Sequence, residues 1–290
     1  MKLLRHGPRG AERPGLLDAD GTLRDLSAHV RDIDPKALEP QSLARLAAID
    51  ARTLPEVDAG ARLGPPVRGI GKYVAIGLNY LDHAREANLP VPSEPPLFLK
   101  ATSCLNGPND EVMLPIEASK GDWEVELGVV IGRTARYTSE TQALAHVAGY
   151  VVANDVSERQ FQMERGTQWD KGKGCDTFGP VGPWLVTADE VPDPQNLRLY
   201  LELNGVRMQD GHTSNMIFSV PALIAYVSRF MTLYPGDLLI TGTPAGVGLG
   251  QKPHPIFLKP GDEMRLGIEG LGEQRQRVVP WRDLADQRLA

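Results

Sequence analysis

From Leu97 to Gly270 the chain is a succession of short apolar runs: LFLKAT, EVMLP, WEVELGVVIG, VAGYVVANDVS, PVGPWLVT, LRLYLELNGV, DLLITGTP and EMRLGIEG. Runs of this length, rich in Val, Ile and Leu and bounded by turn residues, form strands. One stretch stands apart. SVPALIAYVSRFMTL spaces its apolar residues at helical intervals and carries Pro221 where a first turn tolerates it. A parallel, doubly wound sheet needs a helix between successive strands. That alternation is missing, so the expected fold class is α+β, with a large mixed or antiparallel β-structure as its body. The 30 Gly and 24 Pro form no low-complexity tract and fit many turns between short strands.

Residues 1–67 read as a small N-terminal α/β domain. MKLLRHG and RPGLLDADGTLRDLS supply two or three strands, Asp20-Gly21 a hairpin turn, and PQSLARLAAI a helix. The stretch ARLGPPVRGIG marks a boundary, and residues 68–290 are expected to form the second domain. It opens with the buried strand KYVAIGLNY and the short helix LDHAREANLP. The prolines of PVPSEPPLFLK then impose an extended loop or lid.

Charge narrows the function. With 31 Lys+Arg against 37 Asp+Glu the net charge is −6, which argues against nucleic acid and against an anionic membrane surface. The longest apolar window is broken by Pro221, Arg229 and Pro235, and the N-terminus has no signal-peptide core. Cys104 and Cys175 are too few for a disulfide framework and fit a reducing cytoplasm. A soluble, cytoplasmic protein is expected.

The chemistry concentrates at KGDWEVELGVVIG. A strand places residues i and i+2 on one side, so Glu124 and Glu126 lie side by side while Val125, Leu127 and Val129 fill the opposite face. This predicts a half-buried strand with Trp123 partly covered. Two adjacent carboxylates either face solvent or are neutralised. Asp155, at the end of the apolar run GYVVANDVS, is costly there unless bound. Three hard oxygen ligands without a nearby His or Cys suit Mg²⁺, Mn²⁺ or Ca²⁺ rather than Zn²⁺. Arg159 and Gln162 follow closely and either face a ligand or form an ordinary salt bridge. His83 and Glu86 share one helix face three residues apart, as a general base and its orienting carboxylate do, or as a solvated surface pair does.

Two glycine-rich stretches are less telling. WDKGKGCDTFGP, with Lys171 and Lys173, lacks the Walker A spacing, and ITGTPAGVGLG lacks a phosphate-binding lysine. Their glycines allow either a close backbone approach or a tight turn. Cys175 has no histidine near it in sequence and reads better as a small buried thiol than as a nucleophile.

Taken in order, NYxxHAxE, WExEL, NDVxxRxxQ, KGxDTxGP and TGTPxGVG resemble the fumarylacetoacetate hydrolase family, over most of the chain from Lys72 onward. The resemblance implies a mixed β-roll catalytic domain preceded by a smaller N-terminal domain. It implies one Mg²⁺, with Mn²⁺ as a substitute, held by Glu124, Glu126 and Asp155. It implies a water-activating pair at His83 and Glu86, an active-site lysine at Lys173, and substrate contacts at Arg159, Gln162 and Thr243. The N-terminal segment resembles the subgroup acting on 2,4-diketo-3-deoxy sugar acids such as the L-rhamnonate or L-fuconate intermediates. The implied reaction is hydrolysis of the C3–C4 bond of a 2,4-diketo acid, giving pyruvate and a hydroxy acid such as lactate. Alternatives on the same fold are acylpyruvate or fumarylpyruvate hydrolysis, oxaloacetate decarboxylation and keto–enol isomerisation. A non-catalytic metal- or ligand-binding homologue is the alternative of a different class. Family likeness also implies a homodimer.

Overall fold

The computed structural model describes residues 1–283. In chain order its strands are β1 (Lys2–His6), β2 (Arg13–Leu17), β3 (Leu23–Asp25), β4 (Tyr73–Ile76), β5 (Leu97–Lys100), β6 (Leu105–Asn106), β7 (Val112–Leu114), β8 (Gly121–Asp122) and β9 (Val125–Ile131). They continue as β10 (Val147–Asn154), β11 (Ser157–Glu158), β12 (Gly179–Thr187), β13 (Arg198–Leu203), β14 (Val206–His212), β15 (Leu238–Ile240), β16 (Glu263–Ile268) and β17 (Gly272–Pro280). The helices are short: α1 (Pro40–Ala47), α2 (Leu81–Glu86), α3 (Glu140–Ala143), α4 (Arg159–Met163), α5 (Asp170–Lys173) and α6 (Val220–Phe230). None among the described residues is long and apolar enough to cross a membrane.

The main sheet runs β3-β2-β1-β12-β10-β9-β15-β4-β5, with β6 beside β12. Its β15–β4 and β12–β6 pairs are parallel and the others antiparallel, as a mixed β-roll of class α+β requires. A second sheet, β14-β13-β16-β17-β7, and the two-stranded ribbon β11-β8 complete the body. The Asp20-Gly21 turn forms as its residues dictate. Gly21 takes φ +81°, and the Asp18 carboxylate accepts from the Asp20 and Thr22 amides, both at 2.9 Å. β1 pairs with β12, Leu3 opposite Leu185, so hydrogen bonding continues from the N-terminal hairpin into the body.

β9 lies at the centre of this arrangement. All seven of its residues are buried, and Trp123 just before it is 0% exposed. The half-buried strand expected from the sequence is therefore corrected to one covered on both faces. Alternation shows which residues share a side but not what packs there. Here β13 and β16 of the second sheet lie against it on the side of Val125, whose β10 neighbour Asn154 reaches Met264 and Gln276. The acids on the other side meet Lys173 and the Gly242 amide. Helix α6 buries Val220, Leu223, Ile224 and Val227, the i, i+3, i+4, i+7 stripe legible in the sequence.

Candidate metal centre and catalytic base

Strand pairing assembles the acids. β10 runs antiparallel to β9 with Ala153 opposite Glu126 and Asn154 opposite Val125. Asp155, the next residue, therefore falls beside Glu124, and its amide donates to the Glu124 carbonyl at 2.9 Å. One carboxylate oxygen from each of Glu124, Glu126 and Asp155 lies within 4.8 Å of the others. All three side chains are buried.

Three cations surround this trio. Lys173 Nζ donates to Glu124 Oε2 and Asp155 Oδ2, both at 2.7 Å. Lys100 Nζ donates to Asp155 Oδ1 and to the Lys173 carbonyl, both at 2.5 Å. Arg159 Nη2 donates to Glu124 Oε1 at 2.6 Å and its Nε to Asp122 Oδ2 at 2.8 Å. Burial alone would raise the Glu124 pKa, but Lys173 and Arg159 outweigh it and hold the group at about 2. Glu126 goes the other way. Burial and the neighbouring charges of Asp155 and Glu124 push its pKa well above the usual carboxylate range.

Glu126 Oε2 accepts one bond, from the Gly242 amide at 2.7 Å. Among the described residues no lysine or arginine forms an ion pair with it. A buried carboxylate without a cation beside it is expensive, and the all-oxygen donor set matches a hard divalent ion. The residues present therefore fit such an ion.

Helix α2 presents the second constellation. His83 Nδ1 lies 3.1 Å from Glu86 Oε2, and Glu86 Oε1 accepts from the Gly246 amide at 2.9 Å. Both side chains are largely covered, at 14% and 16% exposed, so they do not form a solvated surface pair. An ionised Glu86 can only accept, which places the hydrogen on Nδ1 and leaves Nε2 free to take a proton. One segment touches both constellations: its Gly242 amide donates to Glu126 at 2.7 Å and its Gly246 amide to Glu86 at 2.9 Å.

The glycine-rich stretch ITGTPAGVGLG serves close approach. Gly246 has φ +106°, and a Cβ there would sit 1.9 Å from the Met208 carbonyl oxygen; a Cβ on Gly250 would sit 2.3 Å from Glu86 Cδ. Thr243 Oγ1 donates to the Val125 carbonyl and accepts from Gln209 Nε2, both at 2.8 Å. Gln162 Oε1 accepts from Arg159 Nη1 at 3.1 Å. Arg159, Gln162 and Thr243 thus lie at the site, each engaged by protein partners. Burial pushes the Cys175 thiol up to about 11, so it stays protonated at neutral pH, as a structural thiol does.

Two residues escaped the sequence reading. Lys100 carried no signal beyond sharing an alternation with Phe98. Asp122 did carry one, because Asp122, Glu124 and Glu126 alternate as D-x-E-x-E and should share a side.

A mixed β-roll with three clustered, buried carboxylates and a glutamate-bonded histidine has the donor set of a hydrolase that uses a hard metal ion. Residues 72–279 match the model for the fumarylacetoacetate (FAA) hydrolase C-terminal domain, and the chain belongs to that family. It is 61% identical over 287 residues to a protein of Sphingomonas sp. (strain SKA58) named 2,4-didehydro-3-deoxy-L-rhamnonate hydrolase, covering 99% of both chains. It also resembles the solved fumarylacetoacetate hydrolase of Exiguobacterium antarcticum, with TM-score 0.86, 34% identity, and coverage of 97% of this chain and 100% of that one. A maleylpyruvate hydrolase from Sphingobium sp. SYK-6, solved with manganese(II) and pyruvate, is similar at TM-score 0.81 and 31% identity, with coverage of 97% and 100%.

Proposed function

We propose that this protein hydrolyses the C3–C4 bond of a 2,4-diketo-3-deoxy sugar acid of the L-rhamnonate or L-fuconate type, giving pyruvate and a hydroxy acid such as lactate. The observation that carries this reading is the His83–Glu86 pair, 3.1 Å apart, tied through the Gly242–Gly246 segment to the buried trio Glu124, Glu126 and Asp155. The name of the Sphingomonas relative supports the substrate class, and the manganese and pyruvate in the Sphingobium relative support the ion and the product. In this reading the trio holds Mg²⁺, for which Mn²⁺ can substitute.

A bound divalent ion would polarise the C2 carbonyl and offset negative charge developing on the pyruvate half. Glu86 keeps His83 protonated at Nδ1, and Nε2 takes a proton from water as the water oxygen bonds to C4 and the C4 carbonyl π pair moves onto its oxygen. The C4 oxyanion re-forms its carbonyl as the C3–C4 bond breaks, the electron pair of that bond moves toward C3 and C2 as an enolate, and C4 leaves as a carboxylic acid. A proton delivered to C3, from His83 or solvent, completes pyruvate. Lys173, between Glu124 and Asp155, lends positive charge to the developing enolate. Arg159, Gln162 and Thr243 bound the end of the site that receives the keto-acid group.

The proposed setting is the cytoplasm, where the unpaired Cys104 and Cys175 are compatible with a reducing environment, and the proposed assembly is a homodimer. Gel filtration tests the assembly. For the reaction, pyruvate release from the sugar acid should stop with EDTA and return with Mg²⁺. His83→Ala should lower kcat for hydrolysis by about a hundred- to ten-thousand-fold, while metal-dependent oxaloacetate decarboxylation, which needs no attacking water, survives. Hydrolysis indifferent to EDTA, or undiminished in His83→Ala, would refute this reading.

A further inference from the structure

The 246–250 loop touches two carboxylates, Glu86 and Asp122. Its Gly246 amide donates to Glu86 of the base pair at 2.9 Å. Two residues on, the Gly248 and Leu249 amides donate to Asp122 Oδ1 and Oδ2 at 2.6 and 3.0 Å. Asp122 is 0% exposed, and its remaining capacity is taken by the Trp123 amide at 2.8 Å and by Arg159 Nε at 2.8 Å. Arg159 in turn grips Glu124 of the acid trio at 2.6 Å. The indole of Trp123 adds a second tie to the same loop, donating to the Gly246 carbonyl at 3.1 Å.

We infer that Asp122 is a positioning residue: it latches the 246–250 loop to β8 and so holds the His83–Glu86 pair in register with the acid trio. α2 is only six residues long and its N-cap makes no side-chain hydrogen bond, so little within the helix fixes where Glu86 points. The loop fixes it from outside. Continuity runs from Glu124 through Arg159, Asp122 and the loop amides to Glu86 and His83, with links of 2.6 to 3.1 Å. Preorganisation of this kind is worth large factors in rate, because an ångström of misplacement at a base is costly.

The inference rests on His83 acting as the base, so its test has an arm that needs no substrate. Hydrogen exchange on the metal-free protein reads the loop directly. Asp122→Asn should speed exchange in peptides covering 246–250 and 81–87 by about tenfold or more, and Asp122→Glu should do the same. The glutamate variant keeps the charge beside Arg159 but moves the oxygens away from the Gly248 and Leu249 amides. It therefore separates a latch from a simple charge pair, and it stands in if the asparagine variant fails to fold. In kinetics, both variants should lose kcat by about ten- to a hundredfold with KM changed by less than about threefold. Wild-type exchange of the loop in Asp122→Glu, or a loss confined to KM, would overturn the inference. If the wild type lacks hydrolase activity while the Asp122 variants show faster exchange, the base assignment falls and the latch stands.

Discussion

Glu126 differs from its two neighbours in what neutralises it. Glu124 and Asp155 each touch a lysine, whereas Glu126 has a single backbone amide. Its raised pKa means that the charged form costs stability in the metal-free fold. A raised carboxyl pKa gives stability below the unfolded value, lost as pH rises through the folded one, so metal-free wild type should gain stability on mild acidification. Glu126→Gln removes that cost. In EDTA it should melt at or above wild type, by about 1 kcal/mol or more, while its Mg²⁺ affinity falls by more than about a hundredfold. Calorimetric titration and thermal melts check the two halves; a metal-free variant markedly less stable than wild type contradicts this reading. The acid pair itself was legible from period-two alternation. The third acid of that side, Asp122, was equally legible, while the engagement of Thr243 by Gln209 depends on a contact 34 residues away that no local pattern encodes.

The His83–Glu86 pair depends on a helix and a loop from distant parts of the chain. The i, i+3 spacing placed His83 and Glu86 on one face of α2, but spacing could not say whether that face met water or protein. The glycines of 246–250 settle it by admitting Glu86 against the backbone. Gly250→Ala would force its new methyl into the Glu86 carboxyl, 2.3 Å away as built. Expected is a fall in kcat of about a hundredfold with Mg²⁺ affinity within a few-fold of wild type, since no trio residue is touched. Steady-state kinetics beside metal titration check this. α6 was legible in full because its apolar stripe, its Ser219 cap and its Pro221 agree. β9 was legible as a strand but not as a doubly covered one.

Across the whole molecule, the first 67 residues are joined to the rest by pairing and by charge. The β1–β12 ladder connects residues more than 180 apart in sequence, which turn signals such as ARLGPPVRGIG cannot reveal. Beside it, Asp110 accepts from Arg62 at 2.6 and 2.8 Å and from Arg9 at 2.9 Å. Burial raises the Asp110 pKa, but the two guanidiniums outweigh it and hold the carboxyl below its ordinary value. A depressed carboxyl contributes stability above its unfolded pKa and loses it as pH falls through the folded one. Asp110→Asn should therefore cost about 2 kcal/mol at neutral pH, and the deficit should shrink once acid melts are taken below the ordinary aspartate range. In the proposed reaction water attacks C4 beside a trio that holds the metal. Turnover of a 2,4-diketo-3-deoxy sugar acid in isotopically labelled water, with Mg²⁺, reads that step directly. Expected is one heavy oxygen in the carboxylate of the non-pyruvate product, label and pyruvate both vanishing with EDTA; pyruvate formed without that label would contradict the proposed attack.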